Sequence, residues 1–233
     1  MNLKVSNLKY QLWAILSRNI FGLPFFYIYA IYKSWKGVIN KNTYAVIEGM
    51  PRSANTYTIA LLKVFYPNIK LAHHMHGILQ FKVASIFKKR MICLIREPKD
   101  IVESLLIRQE GINPKNILRE YIKFYTYILH KKSIKIIYYS EIIKNPNIIF
   151  KALDLEIPIY PSNLENLIRI KIEDMEKMDS NSNQVNNYKV GYPTKERELL
   201  KKKLTFEIWN KYNINLLREC DELFSEALKR SYL

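Results

Sequence analysis

Between Val46 and Thr58 the chain reads Val-Ile-Glu-Gly-Met-Pro-Arg-Ser-Ala-Asn-Thr-Tyr-Thr. A short apolar strand, a turn and the start of a helix in that order aim free backbone N–H groups and the helix dipole at one point. Such a point binds phosphate or a similar oxyanion. Arg52 adds a permanent positive charge, while Ser53, Asn55 and Thr56 add hydrogen-bonding side chains. The string Gly-x-x-x-x-Gly-Lys-Ser/Thr of the nucleotide triphosphatases is absent from the sequence. The plain alternative is an ordinary strand–helix turn with an N-cap.

Two further groupings carry chemistry. Arg96 ends an apolar run, and Pro98 suits the first turn of a helix that carries Ser104 about two turns on. An arginine and a hydroxyl converging there suit a second phosphate; taken alone, Arg96 reads first as the structural ion-pair partner of Asp100 or Glu103. His73, His74 and His76 follow the apolar residues Leu71-Ala72. Continued strand alternation puts His74 and His76 on one face, where neutral imidazole is the usual acceptor for a hydroxyl proton. Neither cysteine nor clustered carboxylate accompanies them, so no metal is expected. Tyr139 closes the last apolar run and reads either as a rim tyrosine or as a ring lying beside a nucleotide base.

Alternation of apolar runs with helical stretches must position these groups. Strands are expected at Tyr44–Glu48, Ile69–His73, Met91–Ile95 and Ile134–Tyr139. Helices are expected near Asn55–Phe65, Ile78–Phe87, Pro98–Arg108 and Asn116–Lys131. The pattern implies a three-layer α/β/α fold around a mostly parallel sheet, with right-handed crossovers and a ligand crevice at the carboxyl ends of the strands. Beyond Asp154 the chain reads as helical, apart from a polar loop at Asp179–Pro193, and ends in an amphipathic helix around Ile214–Leu228.

Residues 1–42 stand apart as an aromatic and basic helical segment ahead of the α/β part, 43–233. Its longest uncharged stretch, Asn19 to Tyr32, is short for a membrane span, and no small-residue cleavage site follows it. Lysines and tryptophans flanking it suit helices lying at a membrane interface; helices that simply cover the sheet have the same pattern. The whole chain has 37 Lys and Arg against 21 Asp and Glu, a net charge of +16. Such a surface favours phosphorylated or sulfated ligands, acidic glycans or anionic lipids. No nucleic-acid recognition motif accompanies the charge, so nucleic acid is not an expected partner. Two cysteines, Cys93 and Cys220, form no framework and fit a reducing compartment. The expected location is the cytoplasm, peripheral to the inner face of a membrane.

In their order, these segments resemble the sulfotransferase superfamily that uses 3′-phosphoadenosine 5′-phosphosulfate (PAPS). Pro51-Arg52-Ser53-Ala54-Asn55-Thr56-Tyr57 is similar to its 5′-phosphosulfate loop, Pro-Lys/Arg-Ser-Gly-Thr-Thr-Trp. Arg96 and Ser104, eight positions apart, match its 3′-phosphate element. The histidines occupy the place of its Lys-Thr-His segment, which carries the base. Tyr139-Ser140-Glu141 with Asn145-Pro146 is similar to its Tyr-Glu-Asp and Asn-Pro. Tyr188-Lys189-Val190-Gly191 more weakly resembles its Arg-Lys-Gly loop.

The resemblance implies a phosphate-binding α/β enzyme moving a sulfonyl group from PAPS to a hydroxyl or amine of a glycan, lipid or small molecule. Arg52, His74 and His76 would be catalytic, with the base open between the two histidines. Arg52, Ser53, Ala54, Asn55, Thr56, Tyr57, Arg96, Ser104, Tyr139, Lys189 and Gly191 would bind the co-substrate. Ala54 stands where the family has glycine, so the loop must avoid positive φ there or carry strain. Tyr57 replaces tryptophan but keeps an aromatic face for adenine. Two alternatives remain: a metal- and nucleotide-dependent kinase on a related scaffold, and a non-catalytic nucleotide-binding or membrane-adaptor protein.

Overall fold

A computed structural model describes residues 3–32, 37–109, 111–179, 199–201 and 214–232. Two helices lead the chain, α1 (Leu3–Leu16) and α2 (Leu23–Tyr32), followed by alternating strands and helices. These are β1 (Ala45–Gly49), α3 (Asn55–Phe65), β2 (Leu71–Ala72), α4 (Leu79–Ile86), β3 (Arg90–Ile95), α5 (Pro98–Arg108), α6 (Pro114–Leu129) and β4 (Lys135–Tyr138). Four helices then close the described chain: α7 (Tyr139–Lys144), α8 (Asn147–Ala152), α9 (Leu164–Asp179) and α10 (Ile214–Lys229).

The four strands are parallel and ordered β2-β1-β3-β4. The chain leaves β1 toward one edge and returns through β2 to run toward the other, so the order reverses between the carboxyl ends of β1 and β3. Strand alternation splits the core into two layers. Val46, Ala72, Cys93 and Ile136 face α4, α5, α6 and α10. Ala45, Ile47, Leu71, Ile92 and Ile137 face α3, α8 and α9. Burial on both faces explains why the strands read as near-continuous apolar runs. Gly49 is required where β1 meets β3, because a Cβ there would lie 2.4 Å from the Leu94 carbonyl oxygen.

Some expected boundaries shift. The second strand stops at Ala72, so the histidines lie on a loop and not on a strand face. The fourth strand stops at Tyr138, and Tyr139 begins α7. Neither extension has a ladder partner: β1 pairs with β2 only through Leu71 and Ala72, and β3 ends opposite Tyr138. A feature the sequence did not announce is the carboxyl-terminal tail against β4, through an Ile136–Ser231 bridge and the Tyr232 N–H on the Ile136 carbonyl at 2.7 Å.

α1 and α2 pack against the sheet's upper loops. Trp13 meets Phe26 and Tyr29 edge-on, at 4.8 and 5.4 Å between ring centroids. The Trp13 indole N–H donates to the Met75 carbonyl at 2.9 Å, and the Leu79 N–H donates to the Ser17 carbonyl at 2.8 Å. Arg18 forms an ion pair with Glu120 of α6 at 2.9 Å.

Candidate active site

At the point where strand order reverses, a cavity of about 1080 Å³ opens. Its walls come from the loop 50–54 and the start of α3, from the histidine loop, from Arg96 and Tyr139, and from α1, α5, α6 and α9.

Loop 50–54 is held by Asn55, whose side-chain amide donates to the Gly49 and Met50 carbonyls at 3.3 and 3.1 Å. Its other amide atom, Oδ1, is buried with no hydrogen-bond partner among the described residues. Arg52 (φ 74°) and Ala54 (φ 65°, ψ 19°) are both left-handed. Ala54 therefore takes the strained option that the missing glycine posed, at roughly 1–2 kcal/mol. This conformation lets the chain turn sharply into α3, whose leading N–H groups have no intrahelical acceptor.

Arg52 and Arg96 line the same cavity. Arg96 Nη1 donates to the Arg52 carbonyl at 3.0 Å, and Arg52 Nε donates to Ser104 Oγ at 3.2 Å. Arg96 also forms the ion pair with Asp100, at 3.1 Å from Nε and 2.7 Å from Nη2. Its guanidinium stacks on the Tyr139 ring at 4.4 Å, and the Tyr121 hydroxyl donates to its carbonyl at 3.1 Å. Arg96 is thus fixed from four directions, with N–H groups to spare for an anion. The arginine beside Asp100, together with Lys201, holds that carboxyl below its ordinary value against the opposing effect of burial.

The histidine loop is also strained, with φ of 63° at His74 and 56° at His76. Both nitrogens of His74 are engaged, Nδ1 with His73 Nδ1 and Nε2 with the Thr56 hydroxyl at 3.0 Å. His76 differs. Its Nδ1 meets the Gly49 carbonyl at 2.9 Å, which makes that nitrogen the N–H donor and leaves Nε2 an acceptor. Burial lowers all three rings, His73 to about 3, His76 to about 4 and His74 well below its usual value. They are neutral imidazoles at neutral pH.

Glu48, read from the sequence as one residue of an apolar strand, is what shapes this loop. Fully buried, its Oε1 accepts from the Met75 N–H at 2.8 Å and the Gln80 side chain at 2.7 Å, and its Oε2 from the His76 N–H at 3.0 Å. Gln80 is held in turn by the Gly37 carbonyl and the Ile39 N–H. Burial pushes the Glu48 carboxyl up to about 7, against the pull of these hydrogen bonds. A carboxylate inside Val-Ile-Glu-Gly, next to the turn, was the signal that could have found it.

Of the residues read from the sequence, Arg52, Ala54, Asn55, Thr56, Tyr57, His74, His76, Arg96 and Tyr139 all line the cavity. Ser53 and Ser104 are fully buried; Ser104 accepts from Arg52, and Ser53 lies beside the Tyr125 hydroxyl. Lys189 and Gly191 lie outside the described residues. Residues that sequence reading did not assign to the site also line the cavity, among them Tyr10, Trp13, Arg108 and Arg169.

No protein-family model matches the chain, and no curated protein matches it. Among solved structures the chain is similar to the mouse sulfotransferase SULT7A1 complexed with PAP. The TM-score is 0.43 at 15% sequence identity, over 83% of this chain and 87% of that one.

Proposed function

We propose that this protein is a PAPS-dependent sulfotransferase acting on an acceptor hydroxyl or amine. The observation that carries the reading is the convergence of Arg52 and Arg96 on one cavity at the strand-order reversal, joined through the Arg52 carbonyl. The donor has an anionic group at each end, and two arginines this close can be spanned by one molecule. Both are permanently charged.

The donor set fits such a ligand. Arg52 and the leading N–H groups of α3 would hold the 5′-phosphosulfate and Arg96 the 3′-phosphate, with Ser104 joining Arg96 once its bond from Arg52 is shared or broken, and the Tyr57 and Tyr139 rings would flank adenine. The acceptor oxygen attacks sulfur as the bond from sulfur to the bridging oxygen breaks, and that electron pair leaves with the 5′-phosphate. Arg52 and the α3 dipole stabilise the charge growing there. The acceptor's proton goes to His76 Nε2, which, of the ring nitrogens of the two cavity-lining histidines, is the one with no protein partner among the described residues. Glu48 acts through the backbone, holding the His76 N–H and thereby the ring's approach. The acceptor is a glycan, lipid or small molecule bearing that hydroxyl or amine.

A thermal-shift comparison of 3′,5′-diphosphoadenosine (PAP), 5′-AMP and ATP tests the donor class. Stabilisation by the first alone is expected. A response to ATP with magnesium, and none to the diphosphate, would replace this reading with the kinase one.

A further inference from the structure

The amino-terminal helices have two unlike faces. Inward, Tyr10 and Trp13 wall the cavity and Phe26 is fully buried. Outward, Leu12 is 55% exposed, Phe21 90%, Ile28 68% and Ile31 81%, with Leu8 and Ile15 on the same stripe of α1 as Leu12. Burying such side chains is favourable, so leaving a run of them in water is costly. Large contiguous apolar patches on a protein surface mark an interaction site.

Charge narrows the occupant. Ahead of Glu48 the sequence has no carboxylate but six cations, Lys4, Lys9, Arg18, Lys33, Lys36 and Lys41, of which Arg18 is already paired with Glu120 of α6. A symmetric contact with a second copy sets the same patch against itself, bringing cations together with no acidic residue of this segment to pair them. An anionic bilayer supplies the opposite charge along with apolar depth. Among the described residues no single helix is long and apolar enough to cross a membrane, and the helix pair bends by 109° between Leu16 and Ile20. A bent pair of short helices suits lying in the interface rather than spanning it.

We infer that the outer face of α1 and α2 docks on the interface of an anionic lipid bilayer. The inner face of α1 is a wall of the cavity, so docking brings the cavity beside the lipid headgroups. The inference does not depend on the sulfotransferase reading.

Co-sedimentation of the full chain with phosphatidylcholine vesicles, with and without phosphatidylglycerol, tests it. Binding to the anionic vesicles, reduced at least about tenfold by Leu12→Glu with Ile28→Glu, is the expected result. The melting transition of the double variant, taken in parallel, shows whether it is folded, and the shift of the wild type with 3′,5′-diphosphoadenosine reads the proposed activity separately. Should that variant lose its fold, Leu12→Ser with Ile28→Ser is read instead, with a smaller loss expected. Wild type left in the supernatant with anionic vesicles overturns the inference, whether a second copy or another segment of this chain covers the face. Equal binding of wild type and folded variant overturns it too. Vesicle binding without a diphosphate response leaves the docking face standing and removes the proposed activity instead.

Discussion

Arg52 Nε donates to Ser104 Oγ at 3.2 Å, so two residues read as opposite ends of a ligand site touch each other. Ser104 is fully buried, behind the arginine that lines the cavity. A diphosphate held by both must share or break this bond. Their contributions to donor binding are therefore coupled.

Arg52→Ala is expected to abolish turnover with only a moderate loss of affinity for 3′,5′-diphosphoadenosine. Ser104→Ala removes a hydrogen bond to a charged group, typically worth about 1.5–3 kcal/mol, and should weaken diphosphate binding by about 10- to 100-fold. Calorimetry on both single variants and the double should give a coupling of about 0.5–3 kcal/mol. Strict additivity would mean that the two groups act on separate parts of the ligand.

His76 and His74 separate by their free atoms. His76→Ala should lower kcat by about 10²–10⁴, the usual worth of a positioned base, with diphosphate binding unchanged. His74, tied to Thr56 and His73, should act through loop position and cost less. Burial lowers His76 to about 4, and the ring accepts a proton only above that value. The acid limb of kcat should then fall near pH 4, with no inflection near 6.5. A larger loss for His74→Ala would reverse the assignment, and a limb near 6.5 would fit neither buried ring and would remove both as the base.

The parallel sheet and the placing of Arg52, Arg96 and the histidines at strand ends were legible because buried strands are continuous apolar runs and the loops between them are short. Helix α5 begins at Pro98 and ends at Arg108 as read, since proline marks its first turn. The histidine loop was not legible as a loop. Two strand residues precede it, and what holds it is Glu48 from β1 and Trp13 from α1, contacts 27 and 62 residues away in sequence. Local pattern cannot report such partners. Tyr138 and Tyr139 divide between strand and helix for a similar reason: the strand ends where its neighbour β3 ends.

Ala54 offers a test of loop strain. Its left-handed conformation costs roughly 1–2 kcal/mol for a residue with a Cβ, and glycine removes that cost while adding about 0.4–1 kcal/mol of unfolded-state entropy. Ala54→Gly should therefore stabilise the protein by up to about 1 kcal/mol, raising Tm by roughly 2–4 °C. A lowered Tm in calorimetry would mean that the alanine methyl makes packing contacts that outweigh the backbone strain.

The buried carboxyl and the histidines set opposite pH limbs of stability. Glu48 rises from 4.5 to about 7 on folding, so its contribution is complete below the unfolded value and is lost as pH rises through about 7. His73 and His76 fall from 6.5 to about 3 and 4, and His74 falls well below 6.5. Their contribution is complete above 6.5 and is lost as pH falls toward those values. Three rings outweigh one carboxyl where the windows overlap, so stability from these groups should peak near pH 6.5. Glu48→Gln removes the alkaline limb and keeps the acid one. It also replaces one acceptor with an N–H facing the Met75 or His76 N–H, a buried mismatch costing about 1–3 kcal/mol. Urea unfolding from pH 5 to 8 should show the variant less stable throughout and without the decline above about pH 6.5. A variant that keeps the wild-type decline would show that another group titrates there and that Glu48 is already ionised in the fold.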